Sequence, residues 1–185
     1  MNMKTRQMIL IALFAALTGI GAFIKIPTPL VPYTLQYLFC AYAGIFLGSK
    51  DGLYSQLLYI TIGLVGFPIF ASGGGPAYVL QPTFGYLMGF AAGAYVIGLL
   101  IKKLKNMSFI KVYSIITIGL MMVYLLGVSY MYLIVNFYLN KQMDIMKAIA
   151  VGFTPYIVFD LGLNILITIT ALRVVPILRR AGYLK

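Results

Sequence analysis

The most constraining feature of this sequence is the length of its uncharged stretches. Residues 52–101 carry no charged side chain, and residues 7–24, 26–49 and 112–140 are also uncharged. A helix needs about 20 residues to cross the hydrocarbon core of a bilayer. The chain is 62% hydrophobic and 9% charged, whereas a soluble domain is about 45–50% apolar and about 25% charged. The sequence therefore predicts an all-α integral membrane protein.

The charged residues and the missing residue types exclude several functions. The chain has fourteen Lys and Arg but three acidic residues, for a net charge of +11. These charges lie at the ends of apolar stretches, which is typical of a membrane protein's cytoplasmic face and not of a nucleic-acid-binding protein. The chain has no His, no Glu and one Cys, so an ordinary zinc site and a histidine-activated nucleophile are excluded. We predict no metal, no cofactor, no nucleic-acid partner and no enzymatic activity.

Charges, glycines and prolines divide the chain into six predicted transmembrane helices. The long uncharged stretch is broken by Pro68, by the Gly73-Gly74-Gly75-Pro76 segment and by Pro82, which together mark a turn between two helices. The predicted helices cover residues 5–24, 34–48, 52–70, 83–101, 112–138 and 148–177. No soluble domain or long linker is predicted, so residues 1–185 form one six-helix transmembrane domain.

Lysine and arginine predict the orientation of these helices. Ten basic residues lie at one face of the membrane and three at the other. This count leaves out Arg173, whose long side chain is able to snorkel to the first face. The first face has Lys4, Arg6, Lys50, Lys102, Lys103, Lys105, Lys111, Arg179, Arg180 and Lys185, and the second has Lys25, Lys141 and Lys147. The positive-inside rule then places both termini in the cytoplasm of a multi-pass protein of the cell membrane.

Asp160 is the sharpest candidate for a functional residue. A carboxylate in the middle of a membrane helix costs about 2.5–3.5 kcal/mol on insertion scales, and such residues usually face a ligand, an ion or a partner. Tyr156 and Asn164 lie four residues before and after it, so the three side chains share one helical face. The face predicts a ligand-binding array of hydroxyl, carboxylate and amide. The alternative is a structural hydrogen bond between helices, for example from Asp160 to Gln36.

A second candidate site is the glycine-rich segment Ala71-Ser72-Gly73-Gly74-Gly75-Pro76-Ala77. Consecutive glycines expose backbone N–H groups to a ligand, although the same composition is typical of a flexible outer turn. Gln36 begins the second helix at the same outer face, after a loop stiffened by Pro27, Pro29 and Pro32. That loop is either a lid or an ordered connection.

Small residues form stripes on two helices. Ala12, Ala15, Ala16 and Gly19 line one side of the first helix, and Gly85, Gly89 and Gly93 repeat in the fourth. Such stripes allow helices to approach closely. For the fourth helix we predict packing within the protein, whereas the first-helix stripe could equally face another subunit.

Several of these segments resemble one known family. Pro27-Thr28-Pro29 followed by Val31-Pro32-Tyr33-Thr34-Leu35-Gln36 is similar to the first outer loop and second helix of BioY-type biotin transporters. The resemblance continues through residues 63–71 and 73–75, through Pro82-Thr83-Phe84-Gly85-Tyr86, and to Pro155-Tyr156-Ile157-Val158-Phe159-Asp160. It covers most of the chain except the fifth helix and the outer loop that follows it.

This resemblance implies the substrate-binding (S) component of an energy-coupling-factor (ECF) transporter, with an outward-facing biotin site in the bilayer. It implies that Ala12 and Ala16 dock on a transmembrane coupling subunit, and that two ATPase subunits complete the transporter. The expected substrate-binding residues are Gln36, Ser72, Gly73, Gly74, Tyr86, Tyr156, Asp160 and Asn164. An S-component for another vitamin, an intramembrane enzyme and a channel or scaffold remain alternatives.

The sequence departs from the family pattern at three positions. Many relatives have Gly before the matching Asp and Lys three residues after it, where this chain has Phe159 and Leu163. The first glycine of the usual Pro-Thr-Gly-Gly-Tyr segment is Phe84 here. Asn164 is a polar candidate to replace the missing lysine.

Overall fold

The computed structural model describes residues 4–28 and 31–182, so Pro29 of the predicted lid and Lys185 of the basic face lie outside the described residues. The described chain contains seven α-helices. They are α1 Thr5–Phe23, α2 Gln36–Leu47, α3 Ser49–Val65, α4 Phe84–Lys103, α5 Phe109–Leu133, α6 Ile145–Gly152 and α7 Thr154–Arg180. A 3₁₀ turn covers Pro76–Leu80, and a π-helical turn extends α5 over Ile134–Tyr138.

Between α1 and α2 the chain forms a short antiparallel ladder. Strand β1, Lys25–Ile26, pairs with β2, Tyr33–Thr34, so that Lys25 is opposite Thr34. The ladder folds the segment between the two helices back on itself. It therefore fixes where the loop crosses the end of the helical bundle.

Four stretches of the described chain are long and apolar enough to cross a membrane. They are Thr5–Phe23, Phe84–Lys103, Phe109–Tyr138 and Thr154–Arg180. The apolar helix α2 has 12 residues, which at 1.5 Å each is about 18 Å. Helix α3 has 17 residues and begins with Ser49, Lys50 and Asp51. The fold is thus mostly helical and of the membrane type.

Two predicted helix boundaries are wrong for local reasons. Helix α3 ends at Val65 and not at residue 70, because Gly66 adopts φ +123°, a left-handed conformation that side chains disfavour. The predicted helix over 148–177 is divided at Phe153 into α6 and α7. Pro155 lies in the first turn of α7, where a residue without an N–H group is tolerated.

Helix α4 lies at the centre of the bundle, and its glycines set the packing distance to α5. A Cβ atom on Gly85 would lie 2.3 Å from Tyr130 Cβ, and one on Gly89 would lie 2.7 Å from Val123 Cα. These separations are shorter than van der Waals contact, so the α4 backbone lies directly against α5. This agrees with the internal packing predicted for the fourth-helix glycines.

Candidate ligand-binding site

A mostly apolar cavity opens at the end of the bundle where α2, α4 and α7 begin. Its walls come from the loop before α2, from the segment after α3, and from α2, α4, α5 and α7. Six tyrosines line it: Tyr33, Tyr37, Tyr78, Tyr86, Tyr124 and Tyr156. Asp160 contributes its carboxylate, and Gln36, Thr34 and Thr83 contribute other polar groups. Few polar groups in an apolar concavity are typical of small-molecule sites.

Asp160 lies in the cavity wall on α7 and is only 6% exposed. The Tyr124 hydroxyl, on α5, donates a hydrogen bond to Asp160 Oδ2. The Tyr33 ring packs on Tyr156 and Phe159 of the same helix, and burial together with the Asp160 charge raises the pKa of the Tyr33 hydroxyl. Tyr33 therefore stays protonated at physiological pH and remains a donor. A buried carboxylate requires such donors.

Tyr156, one turn before Asp160, fastens the first outer loop to α7. Its hydroxyl donates to the Val31 carbonyl oxygen over 2.6 Å. The Thr28 hydroxyl, 3.0 Å from the Tyr156 hydroxyl, donates to the same carbonyl. The Tyr33 ring stacks on the Tyr156 ring with centroids 6.2 Å apart. The loop is thereby held over the cavity that contains Asp160.

Gln36 lines the cavity, but its amide is engaged by protein groups. Its Nε2 donates to Tyr59 Oη over 2.9 Å, and its Oε1 accepts from Thr34 Oγ1 over 3.0 Å. The Tyr59 hydroxyl in turn donates to the Ile69 carbonyl oxygen. The alternative in which Asp160 bonds Gln36 is therefore not found, because Tyr124 holds Asp160 and Tyr59 holds Gln36.

Tyr86 supports the cavity from α4. Its hydroxyl donates to the Gly152 carbonyl oxygen over 2.8 Å, at the end of α6. Its ring meets the Tyr124 ring edge-on, with centroids 6.4 Å apart. A single side chain thus joins α4 to the end of α6 and packs against the tyrosine that bonds Asp160.

Asn164 is on the predicted face of α7 but lies outside the cavity lining. It is completely buried, and its Nδ2 donates to Thr117 Oγ1 over 3.3 Å. Its Oδ1 accepts no hydrogen bond within the described chain. A ligand contacting Asn164 would have to reach one helical turn beyond Asp160.

In the glycine-rich segment, Ala71 lines the cavity, whereas Ser72, Gly73 and Gly74 do not. The Gly73 N–H donates to the Phe70 carbonyl oxygen over 3.2 Å, and the Gly75 N–H donates to that of Gly63 over 2.7 Å. Gly74 packs so closely that a Cβ atom would lie 2.1 Å from the Phe67 carbonyl oxygen. These glycines therefore stabilise the turn of the segment and allow it to pack closely against neighbouring backbone.

Lys25 provides a cation beside the cavity. Its ammonium group donates to the Ala71 carbonyl oxygen, and Ala71 lines the cavity. Lys25 is paired with Thr34, another lining residue, through the β1–β2 ladder. The sequence placed Lys25 at the outer face, but it offered no signal for this contact with residue 71.

The α1 stripe is divided between two sides of the helix. Ala15 and Gly19 are buried, and Gly19 lies against the Tyr59 ring, 3.6 Å from a built Cβ. Ala12 and Ala16 are exposed on the outer side of the bundle. The exposed pair is thus available for contact with another subunit or with lipid.

Sequence reasoning missed the tyrosines that complete the site. Tyr124 belongs to α5, which the family resemblance does not cover, and its hydroxyl bond to Asp160 joins residues 36 positions apart. Tyr33 and Tyr37 flank the predicted Gln36. The only available signal was the general need of a buried carboxylate for donors.

Residues 1–180 match the BioY family. The chain belongs to the BioY family. The sequence resemblance is thereby confirmed, and the match extends over the fifth helix, where it was not visible.

Relatives in this family share most of their length with this chain. A probable biotin transporter BioY from Lysinibacillus sphaericus is 47% identical over 184 residues, covering 98% of this chain and 93% of that protein. The biotin transporter BioY from Thermotoga maritima is 41% identical over 169 residues, covering 91% and 95%. The fold is similar to the crystal structure of the S-component for biotin from an ECF-type ABC transporter, with a TM-score of 0.82 at 24% identity and complete coverage of both chains.

Proposed function

We propose that this protein binds biotin at the outer face of the cytoplasmic membrane, as the S-component of an ECF transporter. Residues 1–185 then form one domain with six spans, α1 to α5 and α7, and both termini lie in the cytoplasm. A transmembrane coupling subunit and two ATPase subunits complete the transporter. Membership of the BioY family and the names of its biotin-transporting relatives support this function.

The observation that carries the proposal is a buried carboxylate in an aromatic cavity. Biotin's ureido ring has two N–H donors and one carbonyl acceptor. Asp160 is an acceptor for the N–H groups, and the Tyr33 hydroxyl is a donor in the same lining, whereas the single hydroxyl proton of Tyr124 is already donated to Asp160. Tyrosine rings and aliphatic side chains supply apolar walls for the thiophane ring and the valeryl chain.

Biotin's own carboxylate requires a separate partner. The N–H groups of Gly73 and Gly75 are already bonded within their loop, which argues against an oxyanion cradle there. Lys25 offers an ammonium group at Ala71, in the cavity wall. We therefore propose that Lys25 binds biotin's carboxylate. Ser72, Gly73 and Gly74 shape the loop that positions Lys25.

Entry of biotin requires the first outer loop to move. The cavity encloses about 70 Å³, well below the roughly 300 Å³ at which ligand pockets begin. The segment with Val31 and Tyr33 forms part of the wall, and the Tyr156 and Thr28 hydroxyls hold it through the Val31 carbonyl oxygen. Release of these bonds would open the cavity toward the outside.

Calorimetry on detergent-purified Asp160→Asn tests the proposal. The substitution keeps the shape of the side chain and removes the charged acceptor, so an amide N–H meets a ureido N–H. An unpaired donor in a dry site costs about 1–3 kcal/mol, and more where the lost partner is charged, which predicts at least roughly tenfold weaker biotin binding. Asn164→Ala should also weaken binding, by a smaller factor because Asn164 lies outside the lining.

The matched control is Asp144→Asn. Asp144 caps α6 through the Met146 N–H and is outside the cavity, so the same chemical change there should leave biotin affinity unaltered. Unchanged affinity in monodisperse Asp160→Asn protein would remove Asp160 from the site. Wild-type protein that binds riboflavin or thiamin but not biotin would indicate another vitamin, and ion flux without any ligand would indicate a channel.

The proposed orientation is tested by cysteine labelling in a Cys40→Ala background. Asn140→Cys should react with a membrane-impermeant reagent added outside the cell, and Asn106→Cys should not. The opposite pattern would place the cavity on the cytoplasmic side and contradict uptake from outside.

A further inference from the structure

A second cavity lies at the other end of the bundle, and its lining contains charged residues, whereas that of the first is mostly aromatic. It encloses about 390 Å³ between the α2–α3 turn, the C-terminal end of α4 and the end of α7. Along α7, Tyr156 and Arg179 are 23 positions apart, which is roughly 35 Å at the rise of an α-helix. The two cavities therefore lie near opposite faces of the membrane.

Three cations from three different helices line this second cavity. They are Lys50 on α3, Lys102 on α4 and Arg179 on α7. Asp51 is the acidic residue in the lining, and its carboxylate accepts a hydrogen bond from Gln7 Nε2 over 2.6 Å. The lining thus carries an excess of positive charge. Ser49, the first residue of α3, adds a hydroxyl to the lining.

The segments that carry the three cations are fixed against one another. A Cβ atom on Gly98 would lie 2.4 Å from the Ser49 nitrogen, so α4 touches the α2–α3 turn directly. The Arg179 guanidinium donates to the carbonyl oxygens of Ile101 and Leu104, over 3.4 and 3.5 Å. The backbone segments that carry the three cations are consequently fixed around one concave site.

We propose that this cavity binds a phosphate group, carried by the head group of an anionic phospholipid. Arginine's planar guanidinium matches phosphate oxygens through paired N–H groups, and the lysines add point charges. The proposed orientation places the site at the cytoplasmic leaflet, where basic pockets between transmembrane helices bind anionic head groups. The site is separate from the biotin site, and its occupancy is measurable whether or not biotin is bound.

Native mass spectrometry of the purified protein tests this proposal. The protein is released from mixed bilayers of phosphatidylglycerol and phosphatidylcholine, and retained lipids are identified by mass. We expect preferential retention of phosphatidylglycerol. A parallel thermal-unfolding series with inorganic phosphate examines whether a free phosphate group occupies the same site.

The test variant is Lys50→Gln with Lys102→Gln, and the control is Lys103→Gln with Lys105→Gln. The control removes the same charge from the same end of the molecule, but its residues lie outside the lining. Each lysine that contacts the head group directly forms a charge-assisted bond that glutamine does not replace, and its loss should weaken binding about fivefold. The test variant should therefore lose phosphatidylglycerol by well over fivefold, and the control by less than about twofold. Arg179 is kept because it also bonds the end of α4.

Three results are decisive. Selective loss of phosphatidylglycerol in the test variant supports a lipid head-group site. Stabilisation by inorganic phosphate that disappears in the test variant, without any lipid preference, supports the phosphate site but overturns the lipid as its source. Equal loss in both variants, or a wild type that shows neither lipid preference nor stabilisation by inorganic phosphate, overturns the proposal, because the basic residues then act only as a diffuse charged face. Biotin affinity, measured on the same samples, reports that both variants are folded.

Discussion

Two stripes of small residues on α1 and α4 have the same appearance in the sequence and opposite positions in the fold. The α4 stripe is buried against α5, where Cβ atoms on Gly85 and Gly89 would lie 2.3 and 2.7 Å from Tyr130 and Val123. The α1 stripe is divided, with Ala15 buried and Ala12 and Ala16 exposed. The α4 stripe packs against a helix of the same chain, whereas half of the residues in the α1 stripe face outward.

This difference shows what a small residue does and does not specify. It permits close approach of two backbones, but the partner is decided by where neighbouring helices lie. On α4 that partner is α5 of the same chain. On the exposed side of α1 no described helix covers Ala12 and Ala16, which fits the coupling subunit proposed for this surface.

The largest effect is expected for Gly89→Leu. The new side chain would meet the Val123 backbone, which cannot rotate away as a flexible side chain can. Overpacking typically costs about 1–3 kcal/mol, and more where backbone must shift. We expect little monodisperse protein by size-exclusion chromatography.

Gly162→Leu is the matched control for this prediction. Nothing lies within 4 Å of a Cβ built on Gly162, so the same substitution should be tolerated there. Normal yield and thermal stability of Gly89→Leu would show that the α4–α5 approach is not as close as described.

The next effect separates the two sides of α1. Ala15 is only 3% exposed, so Ala15→Trp places a large ring in packed space and should lower the melting temperature by several degrees. Ala16→Trp, one position further, points to the exposed side and should leave the melting temperature nearly unchanged. Equal destabilisation by both substitutions would contradict the division of the stripe.

The third prediction concerns the exposed half of the stripe. Ala12→Trp combined with Ala16→Trp should preserve biotin affinity and abolish co-purification with the coupling module, because bulky rings prevent close backbone contact. The control is Ile165→Trp with Ile169→Trp on α7, which has the same spacing at positions exposed by 47% and 41%. If the control also abolishes co-purification, the effect is not specific to the alanine pair.

Much of the fold is predictable because the signals are local. The predicted helices at 5–24 and 83–101 agree with α1 and α4 within two residues at each end, since charges and prolines bracket their apolar stretches. The end of α3 was misplaced because Gly66 lies in an apolar stretch, where hydropathy gives no sign of its positive φ. The break at Phe153 was missed although Pro155 follows it by two residues, because the surrounding stretch is mostly apolar, which is typical of one continuous helix.

Residue spacing predicts the site only where its residues share one helix, and Gln36 and Tyr86, which also line the cavity, were expected from the family resemblance. Tyr156 and Asp160 face one cavity because their four-residue spacing is a property of the helix itself. The bond from Tyr124 to Asp160 and the bond from Lys25 to Ala71 join residues 36 and 46 positions apart. Such contacts depend on how helices and loops are arranged in space, and spacing along the chain does not specify them.

The smallest effect is expected for Gly162→Ala. Gly162 lies within α7 at an exposed position, has no positive φ, and has open space around a built Cβ. Alanine loses less backbone entropy on helix formation than glycine, by up to about 1 kcal/mol, so thermal stability should rise slightly and biotin affinity should not change. Gly89→Ala, measured in parallel, should instead lower stability, because its methyl group meets the α5 backbone. A rise at both positions would mean that helix propensity outweighs packing on α4. Gly89 and Gly162 would then not differ in their need for glycine, and close packing against α5 would not explain Gly89.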